Sequence, residues 1–154
     1  MIPDKKKYQN IVNDVIRESF PELKDKKISI YLYNGKKYNA GVYWPLPFLE
    51  IIFINKNIKL SNSEIKGLLV HELCHFERDI GRGWLISLFL ANIYYWSNPS
   101  FRRKEERETD KLVIKKGYAR EYYEFVKNQR YNKNSKYNLS LNEIKSYAKS
   151  IGKW

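Results

Sequence analysis

Two histidines stand four residues apart in Leu68-Leu69-Val70-His71-Glu72-Leu73-Cys74-His75-Phe76-Glu77, and the chain has no others. On an α-helix that spacing puts both imidazoles on one face, one turn apart. Two imidazoles so placed can share one tetrahedral zinc ion. Glu72 projects beside them, where a carboxylate can take a proton from water activated by the metal. The plainer alternative is two histidines satisfied by ordinary packing. The helical setting and the lack of any other histidine weigh against it.

A catalytic zinc needs a third protein ligand and an open position. No third histidine exists, and a longer histidine motif is broken by Arg78 and Gly81. The ligand must then be a carboxylate or, less favourably, Cys74, which reads as a small buried hydrophobe. Carboxylates cluster in Lys104-Glu105-Glu106-Arg107-Glu108-Thr109-Asp110. Glu106 and Asp110 share a helix face. Glu106 can ligate the metal while Asp110 accepts a hydrogen bond from the outer nitrogen of a histidine and fixes its tautomer. Glu105 and Glu108 compete for the ligand role. Without the histidines upstream, the cluster would read as a solvated face paired with Arg102, Arg103 and Arg107.

These residues need elements to position them. Tyr8, Ile11, Val12, Val15, Ile16 and Phe20 give residues 4–20 the spacing of an amphipathic helix, ended by Pro21. Ile28, Ile30 and Leu32 alternate with polar or aromatic neighbours as in a half-buried strand. Asn34-Gly35 predicts a two-residue hairpin turn into a second strand from about Tyr38 to Trp44. Residues 48–54 predict a third strand buried on both faces. Ser61 and Glu64 have capping-box spacing and open the histidine helix, which stops near Gly81. Asn98-Pro99 starts the acidic helix and Gly117 ends it. A shorter helix covers 119–130. The polar run 131–138 reads as a loop or linker. Ser140 and Glu143 cap a last helix with Leu141, Ile144, Ala148 and Ile151 as its stripe.

The implied class is α+β: an N-terminal helix, a sheet of about three strands, the histidine helix and further helices. Residues 1–130 would form the catalytic domain. Residues 131–154 would be a linker and a helix that completes the core or docks on the cleft, in its own chain or in a partner.

Gly83 to Phe101 holds no charge, and its centre is WLISLFLANIYYW. As a helix that centre spans about 20 Å, short of the roughly 30 Å hydrocarbon core, and Asn92 also argues against spanning. The expectation is a buried helix packed over the core. The alternative is a peripheral membrane contact through residues 84–96, with Trp84 and Trp96 at the interface and Arg102-Arg103-Lys104 facing headgroups.

Composition bounds the rest. A chain of 154 residues with 43% hydrophobic content fits one globular domain. One cysteine excludes an internal disulfide and a four-cysteine zinc site. No apolar run follows the basic start, so a cytoplasmic protein is expected. The net charge of +12 could draw anionic partners. The basic residues are scattered, with no arginine-rich arm, zinc-finger spacing or RNA-binding signature, which disfavours nucleic acid. Two rival classes stand beside an enzyme: a catalytically silent zinc domain, and a basic nucleic-acid-binding module with a structural metal.

HELCH followed by Glu106-x-x-x-Asp110 resembles the gluzincins, zinc peptidases with two histidines and a glutamate as ligands. The size is similar to that of the minigluzincins, soluble minimal versions of the catalytic domains of integral-membrane peptidases of the CAAX-protease and HtpX types. The resemblance covers roughly residues 1–118. It implies a Zn²⁺-dependent endopeptidase acting on peptides or proteins, with His71, His75 and Glu106 as ligands, Glu72 as base and Asp110 behind them. It also implies a latent form in which a C-terminal segment occupies the cleft. Two features depart from the pattern. Glu77 stands where an apolar residue is usual, and the stretch from His75 to Glu106 is long, at the place where membrane relatives insert a transmembrane hairpin.

Overall fold

Helix α1, Lys5–Ser19, buries Tyr8, Val12, Val15 and Ile16 along one stripe. In the computed structural model, which describes residues 5–35, 39–46, 49–128 and 135–154, the stripe continues through Phe20 and Leu23. Pro21 lacks an N–H and opens a single 3₁₀ turn, Pro21–Leu23, in place of further α-helix. The first predicted residue of the helix, Asp4, lies outside the described residues.

Three strands follow: β1 Ile28–Tyr33, β2 Ala40–Leu46 and β3 Leu49–Asn55. Their order is β1-β3-β2, with β1 parallel and β2 antiparallel to β3. The expected hairpin between the first two strands therefore does not form, because β3 lies between them. β3 is the most apolar strand, and the central place gives it two partners. β2 carries Pro45, which cannot donate to a ladder and suits an edge. Asn34 and Gly35 instead bind the end of β3 and the turn after it: Asn55 Nδ2 donates to Gly35 O at 2.6 Å, and Asn57 Nδ2 to Asn34 Oδ1 at 2.6 Å.

β3 is also not buried on both faces. Ile52 and Ile54 join Ile28 and Ile30 in the core shared with the helices. On the other face Tyr31 and Tyr43 are exposed, and Phe53 lies among them, its ring 5.4 Å from that of Tyr31. The predicted start of the second strand, Tyr38, and of the third, Phe48, lie outside the described residues.

Helix α2, Asn62–Arg82, is central and packs against α1, β2 and the later helices. Its capping box is complete: Glu64 N donates to Ser61 Oγ, and Ser61 N donates to the Glu64 carboxylate at 2.6 Å. Gly83, at φ 87°, turns the chain out of it. Next come α3 Trp84–Phe89, a π-helical turn Leu90–Tyr94 and α4 Tyr95–Ser97.

The expectation that this segment is buried over the core fails. Leu85 is 70% exposed, and Ile86, Phe89, Ile93 and Trp96 are each more than half exposed. The segment is apolar nearly all round but packs through one side only. Trp84 Nε1 donates to Trp44 O at 3.3 Å, and buried Ser87 donates to Asp79 O at 2.9 Å. Among the described residues no helix is long and apolar enough to cross a membrane.

Helix α5, Pro99–Lys115, has Asn98 as N-cap and Pro99 in its first turn, and it ends at Gly117, φ 94°. Helices α6, Ala119–Asn128, and α7, Leu141–Ser150, complete the α+β fold. Gly67 lets α2 and α6 touch closely, since a Cβ there would lie 2.8 Å from Tyr122 N. Leu139, Ile144 and Ala148 are buried in the same core as α2, whereas Ile151 is exposed.

Candidate metal centre

α2 presents His71 and His75 on one face, and α5 crosses it with Glu106 and Asp110 on the facing side. His71 Nε2 and His75 Nε2 lie 3.1 Å apart. Glu106 Oε2 is 3.3 Å from the first and 3.8 Å from the second. Tetrahedral zinc with bonds of about 2.0–2.1 Å sets its ligand atoms about 3.3–3.4 Å from one another. The three separations, 3.1 to 3.8 Å, lie on either side of that spacing, and the two imidazoles and the carboxylate are zinc-ligand types, so the residues fit the ion.

The outer nitrogens support the same conclusion. His71 Nδ1 lies 3.2 Å from Asp110 Oδ1. His75 Nδ1 lies 3.4 Å from the Thr109 hydroxyl, which itself donates to Glu105 O at 2.9 Å and so accepts from the ring. Protons on both Nδ1 atoms would leave the two Nε2 lone pairs, 3.1 Å apart, free to share one cation.

Electrostatics matches the geometry. Burial alone would lower the pKa of His71, but Asp110 and Glu106 outweigh it and hold it well above the usual imidazole range. Burial alone would raise Glu106, but His75 and His71 outweigh that and hold it well below the usual carboxylate range. Glu72 is buried next to the pair. Its pKa is raised by desolvation, partly offset by the two histidines. Burial pushes the Cys74 thiol well up and keeps it protonated in the core.

The other acidic candidates are engaged elsewhere. Arg82 holds Glu105 through two contacts, 2.5 and 2.8 Å, and Arg78 adds a third at 3.1 Å. Glu108 is exposed and pairs with Lys111 at 2.8 Å. Among the described residues the atoms of His71, His75 and Glu106 are the group that converges as metal ligands, all within 4.8 Å of one another.

Five residues around these were not read from the sequence. Tyr95 donates a hydrogen bond to Glu106 Oε1, and Tyr122 donates one to Asp110 Oδ1. The Tyr122 ring also stacks on His71 at 5.4 Å. Thr109 accepts from Arg78 at 2.7 Å as well as from His75. Asn138 Nδ2 donates to Glu106 Oε2 and Asp110 Oδ1, both at 3.2 Å, and Leu139 N donates to Asp110 Oδ2 at 2.6 Å. Thirteen tyrosines offered no means of singling out two, and Asn138 sits in a polar run with the composition of a linker.

The ligand atoms face a cleft of about 300 Å³. Gly41 and Val42 of β2 and Glu72 line it, together with Tyr95, Tyr137 and the exposed Trp96 at its rim. The Arg102 guanidinium lies over the rings of Tyr95, Trp96 and Tyr137, 4.4–5.1 Å from their centres, and ties that rim together. Trp154 packs edge-on against Tyr123 at 5.3 Å. Searches against protein-family models, curated proteins and solved structures gave no match.

Proposed function

We propose that this chain is a zinc-dependent endopeptidase of the gluzincin type, with a peptide or protein as substrate. His71, His75 and Glu106 would hold the metal, Glu72 would be the general base, and Asp110 would orient His71. The observation that carries this reading is the meeting of His71 Nε2, His75 Nε2 and Glu106 Oε2 at zinc spacing on the wall of an open cleft.

Bound there, zinc supplies Lewis acidity that lowers the pKa of water to about 7 and polarises a carbonyl. Glu72 receives the proton of the attacking water and passes it to the leaving amine. Its burial suits the accepting step, since a raised pKa makes the carboxylate a better proton acceptor. Asp110 and Thr109 lie 3.2 and 3.4 Å from the Nδ1 atoms of His71 and His75, where they would hold the Nδ1 protons and leave both Nε2 atoms free to ligate. β2 is an edge strand bordering the cleft, so an extended substrate can add to it through main-chain hydrogen bonds.

In this proposal the C-terminal segment supports the site. Leu139, Ile144 and Ala148 are core residues, and Asn138 and Leu139 hold Asp110. Latency, which the family resemblance implies, would require an inhibitory contact; Trp154, the last residue of that segment, lies on Tyr123.

The test is metal content and cleavage of a denatured protein. The wild type is expected to carry one zinc and to lose cleavage on chelation. Glu72→Gln is expected to keep the zinc and lose cleavage, because the amide has the same size but accepts no proton. Equal zinc in wild type and His75→Ala would overturn the site. Wild-type cleavage rates in Glu72→Gln would overturn the mechanism.

A further inference from the structure

The segment between Gly83 and Asn98 packs through one side and turns an apolar stripe outward. Its inward side uses buried Ser87 and the hydroxyl of Tyr95. Its outward side carries Leu85, Ile86, Phe89, Ile93, Tyr94 and Trp96, exposed by 46 to 70%. Leu85, Phe89, Ile93 and Trp96 follow at four, four and three residues, the spacing of one helical stripe. An apolar stripe turned to water marks a surface with an occupant.

The charges around it identify that occupant. From Ile80 to Lys104 the chain contains Arg82, Arg102, Arg103 and Lys104 and no acidic residue. Arg82 is paired with Glu105, and Arg102 is stacked on aromatic rings. Arg103 and Lys104 are exposed, and neither forms an ion pair among the described residues. The whole chain carries +12. A second copy of the chain is a poor fit, because a two-fold contact places a patch on itself and brings like-charged rims together. The helical pieces are too short to span a bilayer but long enough to lie along one.

We propose that α3, the π-turn and α4 form a peripheral docking surface for an anionic lipid bilayer. The apolar stripe enters the headgroup boundary, Tyr94 and Trp96 sit at the polar level, and Arg103 and Lys104 meet the lipid phosphates. The cleft rim formed by Tyr95 and Trp96 then lies at the lipid surface.

The test is co-sedimentation of the full chain with vesicles of phosphatidylcholine alone, or with about 30% phosphatidylserine, at physiological salt. Binding is expected with the anionic vesicles and little with the neutral ones. Ile86→Ser with Phe89→Ser, both exposed positions, is expected to weaken binding by roughly tenfold or more while circular dichroism is unchanged. Arg103→Glu with Lys104→Glu should weaken it comparably. A second readout leaves the stripe apolar. Brominated acyl chains should quench wild-type tryptophan emission, and most of that quenching should vanish in Trp96→Phe.

Absence of binding to anionic vesicles overturns the proposal. So does binding that Ile86→Ser with Phe89→Ser leaves intact, which would mean that net charge alone suffices. A dimer that the same double substitution dissociates, with no lipid binding, assigns the stripe to a second copy and also overturns it.

Discussion

Replacing Asp110 by asparagine turns one carboxylate oxygen into an NH2 group at a position where every neighbour is a donor. Asp110 is fully buried. Oδ1 receives the Tyr122 hydroxyl and Asn138 Nδ2 and faces His71 Nδ1; Oδ2 receives the Leu139 N–H. The amide can turn its oxygen to one side only. The cheaper choice keeps the oxygen toward the three-donor side and leaves the Leu139 N–H facing NH2. A buried donor without a partner costs about 1–3 kcal/mol, and lost charge assistance adds to this, for a total of about 2–4 kcal/mol. For a chain of this length that lowers Tm by roughly 4–16 °C. Melting should be followed in chelator, so that metal-linked stability does not contribute, and zinc affinity measured separately by competition with an indicator. Affinity is expected to fall about 10–100-fold, since Asp110 no longer fixes the His71 proton. A chelator-state Tm within about a degree of wild type would refute the hydrogen-bond argument. An unchanged zinc affinity would remove Asp110 from the metal site.

Other substitutions probe the framework. Gly67→Ala gains helix propensity but drives a methyl into the Glu121–Tyr122 backbone, so a net loss of about 1–3 kcal/mol is expected in denaturant unfolding. Thr109→Val keeps the shape and removes the acceptor for His75 Nδ1; zinc affinity should fall about tenfold with the fold retained, as read by the same indicator competition. The Arg107 hydrogen bond, with help from Ser140, holds Glu143 down to about 2 against an ordinary 4.5. A depressed carboxylate contributes its full stability above its unfolded value and loses it as pH falls. The wild type should therefore lose stability between about pH 4.5 and 2, and Arg107→Ala should flatten that part of the curve in acid melts.

Local signals in this chain were readable because they are set by neighbours in sequence. The Ser61 and Ser140 capping boxes, the Pro21 stop and the Gly117 terminus lie where their chemistry puts them. The four-residue spacings of His71 with His75 and Glu106 with Asp110 fix each pair on its own helix face, and the crossing of α2 and α5 then brings both pairs together. Strand order was not readable from a turn. Asn34-Gly35 suits a hairpin, but the central place went to β3, whose apolar residues gain most from two neighbours. Nor could periodicity tell which side of residues 84–96 faces inward, since a segment apolar all round has no preferred face. Asn138 illustrates a third limit: its role depends on a return of the chain that no local spacing encodes.

That return sets an order of events in synthesis. A chain made from its N-terminus has all three candidate ligands by residue 106 and the Asp110 carboxylate shortly after. The groups that immobilise Asp110 come later: Tyr122, then Asn138 and the Leu139 amide. A nascent chain can therefore meet a metal ion before it can hold His71 in its final orientation. The donors to Asp110 are all present only once residue 139 has been made, just before the helix that carries buried Ile144 and Ala148.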